Sequence, residues 1–169
     1  YVFAAAKREN HWFFGPLFRS LDAIFVHRGE VDRKALRQAL AVLEGGGLLG
    51  MAPEGTRSST GAMQQGHGGA AYLAYRARAC VVPVVTTGQE KVFPSLWRLR
   101  RARIRVVFAP PFGPPIPAGA RANLAEIRAF TEEIMYRLAA MLPPEYRGLY
   151  ADVEDRRPDL AAQYATHNQ

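Results

Sequence analysis

A chain of 169 residues, 49% hydrophobic and 22% charged, has the balance of one folded domain and excludes a disordered or low-complexity polypeptide. Its net charge of +7, from 22 basic and 15 acidic side chains, favours an anionic partner: lipid headgroups, phosphorylated small molecules or nucleic acid. No segment reaches the roughly 20 apolar residues that span a bilayer, and none has the layout of a secretory signal.

The sequence opens on Tyr1 inside an apolar stretch, the pattern expected where an amino-terminal part lies upstream. Residues 1–6 read as the remains of a strand. Residues 11–21 place apolar side chains at 13, 14, 17, 18 and 21, a helical spacing. Ala23, Ile24, Phe25 and Val26 form a short apolar run, as in a strand covered on both faces. Asp32 caps an expected helix from Arg33 to about Glu44, with Ala35, Leu36, Ala39, Leu40 and Leu43 on one face and three glycines at its end. A buried strand over 48–52 should follow, which would complete a right-handed βαβ crossover.

After a polar turn at 53–61, a second helix is expected from Gly66 or His67 to Arg78, its Gly68, Gly69, Ala70, Ala71 and Ala74 suited to close packing. Strands are expected at 81–85 and 103–108, with Pro83 at an edge, bulge or end because it lacks an amide donor. Cys80 lies in the same apolar run and is expected to be a buried thiol. One cysteine forms no intrachain disulfide. Asn123 with Glu126 resembles a capping box, opening a helix whose stripe is Leu124, Ile127, Phe130, Ile134, Leu138 and Met141, stopped by Pro143 and Pro144. Beyond Tyr150 the chain is polar and is expected to be a loosely held tail, 151–169, after a domain over 1–150. The sum is α/β, a mainly parallel mixed sheet flanked by helices.

Four blocks carry the chemistry. The first holds Lys7 at a strand end. The second, Ile24-Phe25-Val26-His27-Arg28-Gly29, is a strand delivering an Arg. The third is Pro53-Glu54-Gly55-Thr56-Arg57-Ser58, and the fourth is Val82-Pro83-Val84. In this order and spacing they resemble the glycerolipid acyltransferases, specifically the lysophosphatidate acyltransferase group. The likeness extends over about residues 1–150, with 141–148 similar to bacterial members. It implies the fold of that family, lacking its amino-terminal elements, and transfer of a fatty acyl group from acyl-CoA or acyl carrier protein to the hydroxyl of lysophosphatidate or a similar lysolipid, in phospholipid biosynthesis.

The resemblance assigns substrate binding to Lys7, Arg28, Glu54, Gly55, Thr56, Arg57 and Ser58. Guanidinium groups grip phosphate through paired, charge-assisted hydrogen bonds. Lys7, Arg28 and Arg57 are therefore the expected phosphate ligands. Glu54 is expected to orient Arg57 and the turn, and Gly55 to permit its geometry. Thr56 and Ser58 either bond the acceptor or cap the local backbone.

The family's general base is a His followed by an Asp at the spacing of His27 and Asp32, and it precedes the Lys-bearing strand. Here His11 already lies beyond Lys7 and has Pro16 in the Asp position, while His27 and Asp32 fall on the second block, where Arg28 is the matching residue. No catalytic residue is therefore expected within 1–169, and loss of a general base typically costs about 10²–10⁴-fold in rate. His67 is either a ligand contact or a polar residue at a helix start.

No cofactor is expected, and no His, Cys, Asp and Glu spacing fits a metal. Residues 61–67 miss a phosphate-binding loop because His67 occupies the Lys position and no strand precedes them. The arginines at 98, 100, 101, 103 and 105, beside Phe93 and Trp97, either suit peripheral contact with an anionic membrane, expected at the cytoplasmic face of the cell membrane, or form a solvated loop leading into a strand. Nucleic acid is not expected, as no nucleic-acid fold signature is present. The competing reading is a noncatalytic basic module for anionic lipid or nucleic acid.

Overall fold

The computed structural model describes residues 2–5, 23–26, 33–55, 58, 61–91, 97, 101, 103–115 and 122–164. Two short strands, β1 (Val2–Ala5) and β2 (Ala23–Val26), pair in parallel, Val2 opposite Ala23 and Ala5 opposite Val26. Helix α1 (Arg33–Glu44) follows over the range its apolar spacing predicts and lies against β2. Helix α2 (Gly69–Ala77) begins slightly later than expected and ends at Arg78, in the left-handed conformation. Strands β3 (Val84–Thr87) and β4 (Arg105–Phe108) pair antiparallel, Val84 opposite Phe108. Pro83 sits just before β3, where it removes no ladder donor, and its carbonyl accepts from Ala109 N at 3.0 Å.

Helices alternating with short strands are compatible with an α/β fold. The described strands, however, form two separate pairs, one parallel and one antiparallel, rather than the expected mainly parallel mixed sheet. The strand expected over 48–52 is reduced to one bridge residue, Gly50. A strand exists only as part of a ladder, and no described neighbour runs along this one. Leu49 and Met51 instead pack under α1 and α2 beside Ala35, Ala39 and Leu73, leaving Leu48 exposed.

The longest helix among the described residues, α3 (Leu124–Ala140), opens on the expected capping box. Asn123 N donates to Glu126 Oε2 at 2.7 Å, and Glu126 N donates to Asn123 Oδ1 at 2.9 Å. One face of α3 carries Phe130 and Ile134 onto Ala71 and Ala74 of α2. Contact is close there: a methyl carbon on Gly68, which caps α2, would stand 3.1 Å from Ile127 Cγ2. The other face buries Met135, Tyr136 and Ala139.

That second face corrects the reading of the carboxyl terminus. Residues beyond Tyr150 form α4 (Val153–Arg156) and α5 (Pro158–Tyr164), and their Val153, Leu160 and Tyr164 are buried against α3. Arg157 ties them down through Glu133 of α3 and Asp159, while Arg137 holds the same Glu133 at 2.6 Å. Cys80 is a second correction. It is exposed, because residues 80–86 alternate outward and inward and Cys80 falls on the outward set.

The Arg157 cluster makes the carboxyl terminus acid-sensitive. Burial raises the Glu133 carboxyl, but hydrogen bonds from Arg157 and Arg137 outweigh it and leave the pKa lowered. The Arg157 hydrogen bond pulls Asp159 down to about 2. Folded values below unfolded ones stabilise the fold above about pH 4, and that contribution is lost as pH falls through the folded values. Protection of the amides over 158–164, the intrinsic exchange rate divided by the observed one, should therefore fall between about pH 4 and pH 2. Glu133→Gln should already exchange faster at neutral pH and show a flatter acid dependence.

Candidate functional site

The turn at 52–55 closes through Gly55 N donating to Ala52 O at 3.0 Å. Gly55 has φ +62, a left-handed conformation that a side chain resists, and a methyl carbon there would stand 3.3 Å from His67 Cδ2. The imidazole of His67 thus lies against the turn, and its backbone N donates to Pro53 O at 2.8 Å. Glu54 is half-buried. Burial pushes its carboxyl up, and a hydrogen bond from the Gln64 backbone pulls the other way. The carboxylate is engaged with the segment that leads into α2. Ser58 is half-buried, and Thr56 and Arg57 lie outside the described residues.

A strap from the carboxyl-terminal half holds the far side of this segment. Met63 N donates to Tyr146 O at 2.8 Å and Leu149 N donates to Met63 O at 3.2 Å. Gly66 N donates to the Tyr150 hydroxyl at 3.2 Å, across 84 residues of sequence. Tyr150 is buried, with its ring edge-on to Tyr136 at 5.2 Å. Burial raises its phenol pKa, the Gly66 N–H opposes that shift, and the charge of Glu54 adds to it. Arg147 fixes the strap from beneath: its Nε donates to Leu142 O at 3.0 Å and its Nη1 to Glu154 at 2.8 Å. Sequence reasoning noticed 141–148 but assigned it no role, and it missed Met63, Gln64 and Tyr150. A buried tyrosine hydroxyl needs a partner, but nothing local in the sequence points to Gly66.

Lys7 and Arg28 lie outside the described residues, as do His11, His27 and Asp32. The strands that precede the two cations are described. With Ala5 opposite Val26 in a parallel pair, both strands end side by side, and Lys7 and Arg28 each follow two residues later in sequence. Carboxyl ends of parallel strands are where ligands of α/β folds gather. Among the described residues no three His, Cys, Asp or Glu side chains group as metal ligands, and no helix is long and apolar enough to cross a membrane.

A family model described as Acyltransferase matches residues 1–87, just over half of the 169, and spans all four sequence blocks. The chain belongs to the acyltransferase family, in its glycerolipid group. It is similar to a probable 1-acyl-sn-glycerol-3-phosphate acyltransferase of Mycoplasma pneumoniae, 30% identical over 126 residues that take in 66% of this chain and 45% of the relative. The match therefore spans less than half the length of that relative. No solved structure matches.

Proposed function

We propose that the protein is an O-acyltransferase that moves a fatty acyl group from acyl-CoA or acyl carrier protein to the free hydroxyl of lysophosphatidate or a closely similar lysolipid. The observation that carries this reading is the family match over residues 1–87, which includes every cation assigned to the acceptor phosphate. Lys7 and Arg28 follow adjacent strand ends, and Arg57 follows a turn braced by Glu54, Gly55 and His67. Fixed positive charge at such a rim is what a phosphomonoester headgroup requires. Acyl transfer itself consists of attack by the acceptor hydroxyl on the acyl thioester, with the hydroxyl proton passing to a general base and the thiolate leaving. The His–Asp block that supplies this base in the family has no counterpart ahead of Lys7 in residues 1–169, so no residue here is assigned to that step. Contact with the membrane is peripheral in this reading, at the cytoplasmic face.

Acceptor binding tests the proposal without the chemical step. Arg57→Ala should weaken lysophosphatidate binding, measured by titration calorimetry, by roughly 10–100-fold, the worth of one or two hydrogen bonds to charged groups. Equal affinity in the variant would remove Arg57 from the phosphate site. Tight binding of duplex DNA with a steep salt slope would favour the basic-module reading instead.

A further inference from the structure

Strands β3 and β4 face the protein interior on one side only. Pro83, Val85 and Ala109 are buried and Val107 is half-buried, all on the inward set. The outward set is Val82, Val84 and Thr86 on one strand and Ile104, Val106 and Phe108 on the other. The register places Val84 opposite Phe108 and Thr86 opposite Val106. An antiparallel sheet with one solvated face ordinarily carries polar residues there. This one presents valine, isoleucine and a Phe108 that is 67% exposed. Contiguous apolar surface of this kind marks a docking face.

The surroundings identify what docks. Trp97, in the connection between β3 and β4, is 88% exposed, and Arg101 and Arg103 are exposed beside it in sequence. The Arg103 carbonyl lies against Gly88, immediately after β3, so this basic segment returns to one end of the apolar face. Exposed tryptophan and arginine in the segment that joins the two strands of an apolar face match the water–lipid boundary, where rings sit at headgroup level and guanidinium groups meet anionic lipid. In a chain of net charge +7, the same arginines would repel a second copy.

We propose that the outward face of β3 and β4 docks on an anionic bilayer, with Val84, Val106 and Phe108 at the acyl boundary and Arg101 and Arg103 on the headgroups. The inference deepens the acyltransferase reading, because a lysolipid acceptor resides in that boundary.

Cys80 provides the probe. It is the single cysteine, it is exposed, and it falls on the outward set just ahead of Val82. An environment-sensitive fluorophore on Cys80 should shift to the blue on titration with vesicles of mixed phosphatidylglycerol and phosphatidylcholine. Pure phosphatidylcholine should give a much weaker response, and added salt should diminish the first. Phe108→Thr should weaken partitioning about tenfold, as expected for withdrawing most of one aromatic side chain from the boundary. Val106→Thr, which keeps strand preference, should act in the same direction. Arg101→Gln with Arg103→Gln should weaken binding about tenfold or more at low salt and little at high salt. No response to either vesicle overturns the proposal, and so does wild-type partitioning by Phe108→Thr. A spectral shift that tracks protein concentration without vesicles overturns it in favour of a contact between copies. Docking that persists while lysophosphatidate binding is absent leaves the membrane face standing and removes the acyl-transfer reading.

Discussion

Gly148→Ala should destabilise the protein by about 3 kcal/mol or more. Gly148 has φ +52, and a methyl carbon there would stand 2.1 Å from Met63 O and 2.9 Å from Met63 N. The left-handed conformation alone costs an alanine about 1–2 kcal/mol. The collision is with backbone, which no rotamer change relieves, so strap and turn segment must separate. Their two hydrogen bonds, Leu149 N to Met63 O and Met63 N to Tyr146 O, then go unmade. Each is worth about 1 kcal/mol, with a further penalty where a group is left buried. For a chain of this size the thermal midpoint should fall by roughly 6–12 °C. Leu149→Ala is the control: that side chain is exposed, and its loss should change stability by no more than about 0.5 kcal/mol. Amide exchange at Met63 and Gly66 should rise in Gly148→Ala more than in α1. A wild-type midpoint would show that the strap does not hold the turn segment.

What the sequence made legible was local. The 33–44 helix and the capping box at Asn123 and Glu126 need only neighbours a turn away, and both appear where the pattern placed them. Val2–Ala5 and Ala23–Val26 were found from apolar runs. The same reasoning failed where tertiary partners decide. Residues 48–52 look like a buried strand but have no described ladder. Cys80, in an apolar run, was expected to be buried, yet only alternate residues of 80–86 turn inward and Cys80 is not among them.

The carboxyl terminus was misread from composition. Between 153 and 164 polar residues dominate, but Val153, Leu160 and Tyr164 suffice to cover one side of α3. A signal was present in α3 itself. Met135, Tyr136 and Ala139 form a second apolar stripe, beside the one that meets α2, and a second stripe requires a second partner. At the site, the turn and its glycine were readable from residues 53–58. The bracing from Gln64 and Tyr150 was not, because a hydrogen bond spanning 84 residues leaves no trace in local pattern.

The second large effect belongs to Phe130, which joins three segments. Its ring meets Tyr75 of α2 edge-on at 5.6 Å and Phe112 at 5.5 Å, and Arg137 stacks over Phe112 at 4.2 Å. Its neighbours Ala71 and Ala74 are too small to move into the space it would leave. Phe130→Ala should therefore cost about 3–5 kcal/mol, the range for an aromatic core truncation that cannot collapse, and lower the thermal midpoint by roughly 6–20 °C. Phe130→Leu keeps much of the volume and gives up chiefly the ring contacts, worth about 0.5–1.5 kcal/mol each, so it should fall between. The consequence extends beyond stability. The contact between α2 and α3 fixes where α2 starts, and the residues just ahead of it carry the Gln64 bond to Glu54 and the His67 bond to Pro53. Phe130→Ala should thus weaken lysophosphatidate binding even well below its own midpoint, with Phe130→Leu closer to wild type. Full affinity in a Phe130→Ala protein that melts early would mean the turn keeps its geometry without α2.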